Sequence, residues 1–190
     1  MGEGSSARLV IPARLYLSGY RDALERGWSP DNSRGREAIA EQLEAISADP
    51  ESFLASLDDP EGRNPPLKMP DGSRRPRLPS LRRWIWDDGL CGSIGLRWPQ
   101  SGSSLPSHVL GHIGFSIVPW RRRQGHATQA LAQMLILARE RGLDHVELTT
   151  DPDNLASQKA MAANGAVLVE RFDKPAEYGG GPALRFRIDL

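Results

Sequence analysis

The chain has 190 residues, with 24 Lys+Arg against 24 Asp+Glu and a formal net charge of zero. That length suits one domain with a full-sized core, and the balanced charge gives no global field that would draw in DNA, RNA or an anionic membrane, so any basic function must be local. A single cysteine, Cys91, excludes an internal disulfide and a thiolate metal site, and no apolar run approaches the length of a membrane span.

The start "MGEGSS" lacks the charged-then-apolar pattern of a signal peptide and fits the myristoylation pattern only loosely, so a cytoplasmic protein is expected. "ARLVIP", Ala7 to Pro12, reads as a short strand stopped by proline. The next segment places Leu15, Tyr16, Tyr20, Ala23 and Leu24 at helical spacing and ends at Gly27. A second helix from about Gly35 carries Ile39, Leu43 and Ile46 on one face and continues brokenly through "PESFLASL". Residues 58–80 are rich in proline, glycine and charge and read as a long surface loop. Its arginines have no interleaved aromatics, which favours solvated loop charges over a nucleic-acid patch.

"LRRWIW" and "LCGSIGLRW" flank a tight turn at Asp88 and Gly89 and make a hairpin. "VLGHIGFSIV" is the next strand, followed by a helix from about Gly125 to Arg141. Its apolar stripe is Ala127, Ala130, Leu131, Met134, Leu135, Leu137 and Ala138, and Gly142 sits where a left-handed cap is wanted. "HVELTT" is a strand, "NLASQKAMAAN" a short helix closed by Asn164 and Gly165, and "AVLVERF" and "ALRFRI" the last two strands. The order is β-α-α-β-β-β-α-β-α-β-β, a mixed α/β (α+β) domain built on one sheet over residues 1–190, not a repeated βαβ array.

The chemistry concentrates in "VPWRRRQGHATQA", where three arginines run into the start of the long helix. Positive charge there opposes the helix dipole, so the arginines make sense as counter-charge for a bound anion. The free N–H groups from Arg123 through Gln124, Gly125, His126 and Ala127 to Thr128 form a pyrophosphate cradle, and Gly125 in the first turn lets a ligand come close to the backbone. Neither GxxxxGK followed by Ser or Thr, nor GxGxxG after a strand, occurs.

Arg122-x-x-Gly125-x-Ala127 between a strand and a helix resembles the Q/R-x-x-G-x-G/A signature of the GCN5-related N-acetyltransferase (GNAT) superfamily. The resemblance implies a GNAT-like, mostly antiparallel central sheet flanked by helices, with acetyl-coenzyme A as co-substrate and its pyrophosphate in that turn. It also implies that Asn154 and Ser157 contact the pantetheine or phosphate portion, while Asp153 or Asn154 serves equally as the N-cap of the short helix. A tyrosine that many members carry seven residues after the asparagine is replaced by Met161. Tyr178, in "EYGGGP", is the substitute acid to consider.

The implied reaction is direct attack of a neutral primary amine on the thioester in a ternary complex, with the carbonyl polarised by the N–H groups of Ile117 and Val118. Cys91 is then a core residue. His112, placed on the central strand and titrating near neutrality, is the first candidate for the base, with Glu147 and Asp151 second. The acceptor is a small-molecule or peptide amine, and a homodimer is compatible with the sequence. Two alternatives stay open: a coenzyme A-binding sensor, and a nucleic-acid-binding module using Arg121 to Arg123 and the basic loop.

Overall fold

A computed structural model describes residues 7–32, 34–68 and 74–190. The start "MGEGSS" lies outside the described residues. In chain order the elements are β1 (Arg8–Val10), α1 (Arg14–Glu25), α2 (Arg36–Ala48), α3 (Pro50–Ser56), β2 (Leu67–Lys68), β3 (Arg74–Arg75), β4 (Ser80–Trp86), β5 (Leu90–Arg97) and β6 (Ile113–Ile117), then α4 (His126–Glu140), β7 (His145–Thr150), α5 (Leu155–Ala162), β8 (Val167–Asp173) and β9 (Pro182–Asp189). The expected break between α2 and α3 is Asp49, whose carboxylate accepts from the amides of Glu51 and Ser52 and caps α3 ahead of Pro50. The 58–80 segment is more structured than a surface loop. It holds the two-residue β2–β3 ribbon, and the Asp59 carboxylate accepts from the amides of Arg63 and Asn64.

The single sheet expected from the sequence is instead two antiparallel sheets, ordered β1-β4-β5-β6 and β7-β9-β8. They meet at one joint. The His112 N–H donates to the Glu147 carbonyl at 2.7 Å, and the Glu147 N–H donates to the His112 ring Nδ1 at 2.9 Å. The next parallel rung would need the His112 carbonyl, which instead accepts from the Arg97 N–H of β5 at 2.9 Å, and β6 and β7 run on past the joint with no hydrogen-bonded register among the described residues. Gly111 permits the close approach, because a Cβ there would lie 2.9 Å from the Glu147 oxygen.

One core fills the space between α4 and the two sheets, with Leu131, Met134, Ile94, Leu96, Val146 and Leu148 fully enclosed. Complete burial of a side chain such as Leu131 contributes about 1.5–3 kcal/mol. In α4 the inward stripe is His126, Ala130, Leu131, Met134, Leu135 and Ala138, whereas Ala127 and Leu137 are only half-buried. Gly142 ends α4 at φ +75°, with Leu143 N–H returning to the Ala138 carbonyl.

On the opposite face of the first sheet a second core gathers α1 to α3, where Tyr20 stacks on Trp84 at 4.3 Å between ring centres. The inward residues of α1 are Leu17, Tyr20, Ala23 and Leu24, and Leu15 is 79% exposed, so the helix is rotated from the face expected.

The joint predicts an acid response. Burial, opposed by the bond to the Ser103 carbonyl and reinforced by His145 and Arg97, lowers the His112 pKa from 6.5 to about 4. Because the folded value lies below the unfolded one, the unfolded chain takes the proton first as pH falls. The full contribution is present above pH ~6.5 and roughly 3 kcal/mol is lost on descending to pH ~4. Urea midpoints measured against pH should fall across that window in the wild type. His112→Gln should flatten the dependence, and an unchanged slope would remove His112 as its source.

Candidate active site

Strand β6 leads through a 3-10 turn at Pro119–Arg121 into Arg122–Gly125 and then α4. Arg123 and Gly125 both have left-handed backbones, at φ +64° and +81°. Gly125 is therefore not the helical residue expected. It is the N-cap, its carbonyl accepting from Gln129 N–H at 3.1 Å, and α4 starts at His126. The amides from Arg123 to Thr128 have no backbone acceptor among the described residues, and their arrangement around left-handed residues makes a concavity suited to an anion.

Three cations surround it. Arg121 donates to the Asp88 carbonyl at 3.1 Å and Arg122 to the Ile117 carbonyl at 3.2 Å, and neither they nor Arg123 has a carboxylate partner among the described residues. Arg122, Arg123, Gln124 and Gly125 are exposed, and Ala127 and Thr128 are half-buried. His126 offers only its amide. Its ring is buried, with Nε2 3.2 Å from the Gln124 side-chain oxygen, and burial holds its pKa below the ordinary value.

Of the two strand amides expected to polarise a carbonyl, Val118 is unavailable, because its N–H donates to the Cys91 carbonyl at 3.0 Å. Antiparallel alternation then turns the Ile117 amide away from β5 and toward the gap between β6 and β7. At the far side of the gap Asn154 caps α5, accepting from Ser157 N–H at 3.1 Å. The other end of α5 is tied to the first turn of α4 by Asn164 Nδ2 donating to the Thr128 carbonyl at 3.2 Å. Asn154 and Asn164 thus stand at opposite ends of the eight-residue α5, which is about 12 Å long.

Of the candidate proton-transfer residues, His112, Asp151 and Tyr178 are engaged elsewhere, which leaves Glu147. His112 precedes β6 rather than lying on it, is fully buried, and has both ring nitrogens engaged, Nδ1 accepting from Glu147 and Nε2 2.9 Å from the Ser103 carbonyl. A histidine so placed has no lone pair to offer an acceptor. Asp151 is paired with Lys174 at 2.5 Å. Glu147 points to the face of its sheet opposite the buried Val146 and Leu148, is 22% exposed, and is met by Arg185 at 3.4 Å, an arginine that also reaches Glu170 at 3.2 Å. Tyr178 donates its hydroxyl proton to the His108 carbonyl at 2.6 Å. Met161 is buried in the core, and Cys91 is fully buried with its thiol pushed up by desolvation.

Sequence reading passed over Arg82 and Arg97, which look like ordinary outward strand residues. The structure sets them on the sheet face beside Gly95 and Gly114. The signal available was the pair of glycines inside strands, which marks a close approach.

Among solved structures the fold is shared with the ribosomal L7/L12 α-N-protein acetyltransferase RimL in complex with coenzyme A, at 13% identity, TM-score 0.63, and 98% of this chain against 95% of that one. It is shared as well with the microcin C7 self-immunity acetyltransferase MccE, bound to acetyl-CoA and AMP, at 11% identity, TM-score 0.63, and coverage of 98% and 93%. RimJ from Mycobacterium smegmatis in complex with CoA-disulfide matches at 17% identity, TM-score 0.58, covering 97% and 85%. A search of curated proteins found no match. The family model for the acetyltransferase (GNAT) domain matches residues 72–167, just over half of the chain and including the whole of the turn, and the chain belongs to that family.

Proposed function

We propose that the protein transfers the acetyl group of acetyl-coenzyme A to a primary amine by direct attack in a ternary complex. The observation that carries this reading is the Arg122–Thr128 turn, where free amides and arginines without carboxylate partners converge at the end of the gap between β6 and β7. The residues present fit the co-substrate. The amides of Arg123 to Thr128 hold a diphosphate, Arg122 and Arg123 neutralise it, and Asn154, with its side-chain amide still free to donate, reaches the pantetheine.

Acetyl-coenzyme A supplies an activated thioester, and the chain positions it. The Ile117 N–H, directed into the gap, polarises the carbonyl. As the N–C bond forms and the C–S bond breaks, the amine's proton passes to Glu147, directly or through one water, and the thiolate leaves. A thiol of pKa about 8.5 departs without a side-chain acid, which accords with Met161 in the core and with Tyr178 giving its proton to a carbonyl. His112 acts as a positioning residue, holding the Glu147 backbone at the joint. RimL, by its name and ligand, sets the precedent for coenzyme A and a protein α-amine acceptor.

The test is free-thiol production from acetyl-coenzyme A with a panel of primary amines. Amine-dependent thiol release supports the proposal. Stabilisation by coenzyme A with no release on any amine would make the protein a sensor instead.

A further inference from the structure

Arg82 of β4 and Arg97 of β5 lie on the same sheet face as the α1–α3 layer, and neither guanidinium has a hydrogen-bond or carboxylate partner among the described residues. Their neighbour Arg83, on the other face, is neutralised by Asp58 at 2.7 Å. Beneath the pair is a bare floor. Gly95 and Gly114 face one another in register, and a Cβ on Gly95 would come within 3.2 Å of the Arg82 Cζ, one on Gly114 within 4.0 Å of an Arg97 amine nitrogen.

Specific contacts wall this floor. Trp28 Nε1 donates to Ser116 Oγ at 2.9 Å and Asn32 Nδ2 to the Phe115 carbonyl at 3.2 Å, fixing the loop after α1 over β6. Tyr178, tied to the His108 carbonyl, lies near Arg97 on another side. Arg97 is exposed, and repulsion by Arg82 lowers its pKa against smaller opposing effects of Tyr178 and Asp31. Asp31 already accepts from the Arg34 amide and Nε at 3.0 and 3.1 Å, so the carboxylate nearest in effect is shared with another cation.

Two like charges held together without a counter-ion are relieved by an anion set between them. Gly114 is three residues from Ile117, about 10 Å along the strand, which is the reach of a small acceptor with its amine at the gap. Resting on the acetyltransferase reading, we propose that Arg82 and Arg97 over the Gly95–Gly114 floor form an acceptor subsite for an anionic group, a carboxylate or a phosphate, carried by the amine substrate. Polycationic amines are excluded by the same charges.

The experiment titrates ethanolamine, β-alanine and phosphoethanolamine, small primary amines that differ in their second group, into the protein loaded with coenzyme A. β-Alanine or phosphoethanolamine should bind at least about tenfold more tightly than ethanolamine, and whichever is tighter identifies the anion. Arg97→Gln and Arg82→Gln should each remove that preference while coenzyme A affinity stays as in the wild type. Equal affinity for the three amines, or a preference that survives both substitutions, would overturn the subsite. Failure of coenzyme A itself to bind would count against the Arg122–Thr128 turn, and the same titrations on the unloaded protein would then decide the arginine pair alone.

Discussion

Replacing Glu147 by Gln should slow acetyl transfer by about 10²–10⁴-fold and leave the affinity for coenzyme A unchanged. The substitution isolates charge from structure. Both backbone groups of Glu147 are held by His112, so the strand keeps its place whatever the side chain, and Arg185 retains Glu170 as a partner. Gln fills the same volume and cannot accept the amine's proton. A Glu147→Gln rate equal to wild type would pass the proton directly to solvent and leave Glu147 as a partner of Arg185 only.

Gly125→Val should weaken acetyl-coenzyme A binding by about 100-fold, from the loss of two or more charge-assisted bonds between amides and the diphosphate. It should also destabilise the apo protein by about 1–2 kcal/mol, because Gly125 is left-handed at φ +81° and a residue with a Cβ is strained there. Space is not the difficulty, since the nearest atom to a Cβ would be the Gln129 side-chain nitrogen at 3.9 Å. Gly142→Val separates strain from binding. Gly142 has a similar φ of +75° at the other end of α4 with open space around it, so its substitution should cost comparable stability and no affinity. Calorimetric titration and melting curves of the two variants check the pair of effects. Equal coenzyme A affinity in Gly125→Val and Gly142→Val would reduce Gly125 to a helix-start residue.

Much of the fold is legible in the sequence where a local pattern has a local cause. The β4–β5 hairpin turns at Asp88 and Gly89, both with positive φ, and α4 is recognisable from its 3.6-residue stripe and its Gly142 cap. Asn154 does what an asparagine at a helix start does. The reading fails where a long-range contact decides. His112 looks like a strand histidine free to titrate because nothing near it in sequence reveals Ser103 and Glu147, which take both ring nitrogens. The His112 carbonyl is taken by the Arg97 amide, which ends the ladder, so the parting of one expected sheet into two is not written in the strand patterns. Leu15 and Leu17 are both plausible inward residues of α1, and packing against Trp84 and Phe53, not periodicity, selects the face that turns Leu17 in.

Within the turn, "RRRQGHA" reads as helix from Gly125 onward because glycine is tolerated in a first turn. The positive φ at Arg123 and Gly125 belongs to the backbone path between β6 and α4, which composition does not encode. The consequence is functional, since a left-handed Gly125 aims the amides outward where a helical one would stack them along the axis.

The most direct test of the account is a crystal structure of the protein with coenzyme A. The diphosphate should lie within hydrogen-bond distance of the amides between Arg123 and Thr128, with the pantetheine arm running through the gap between β6 and β7 toward Ile117. A diphosphate bound away from that turn, or β6 and β7 paired along their length with the arm outside, would contradict it.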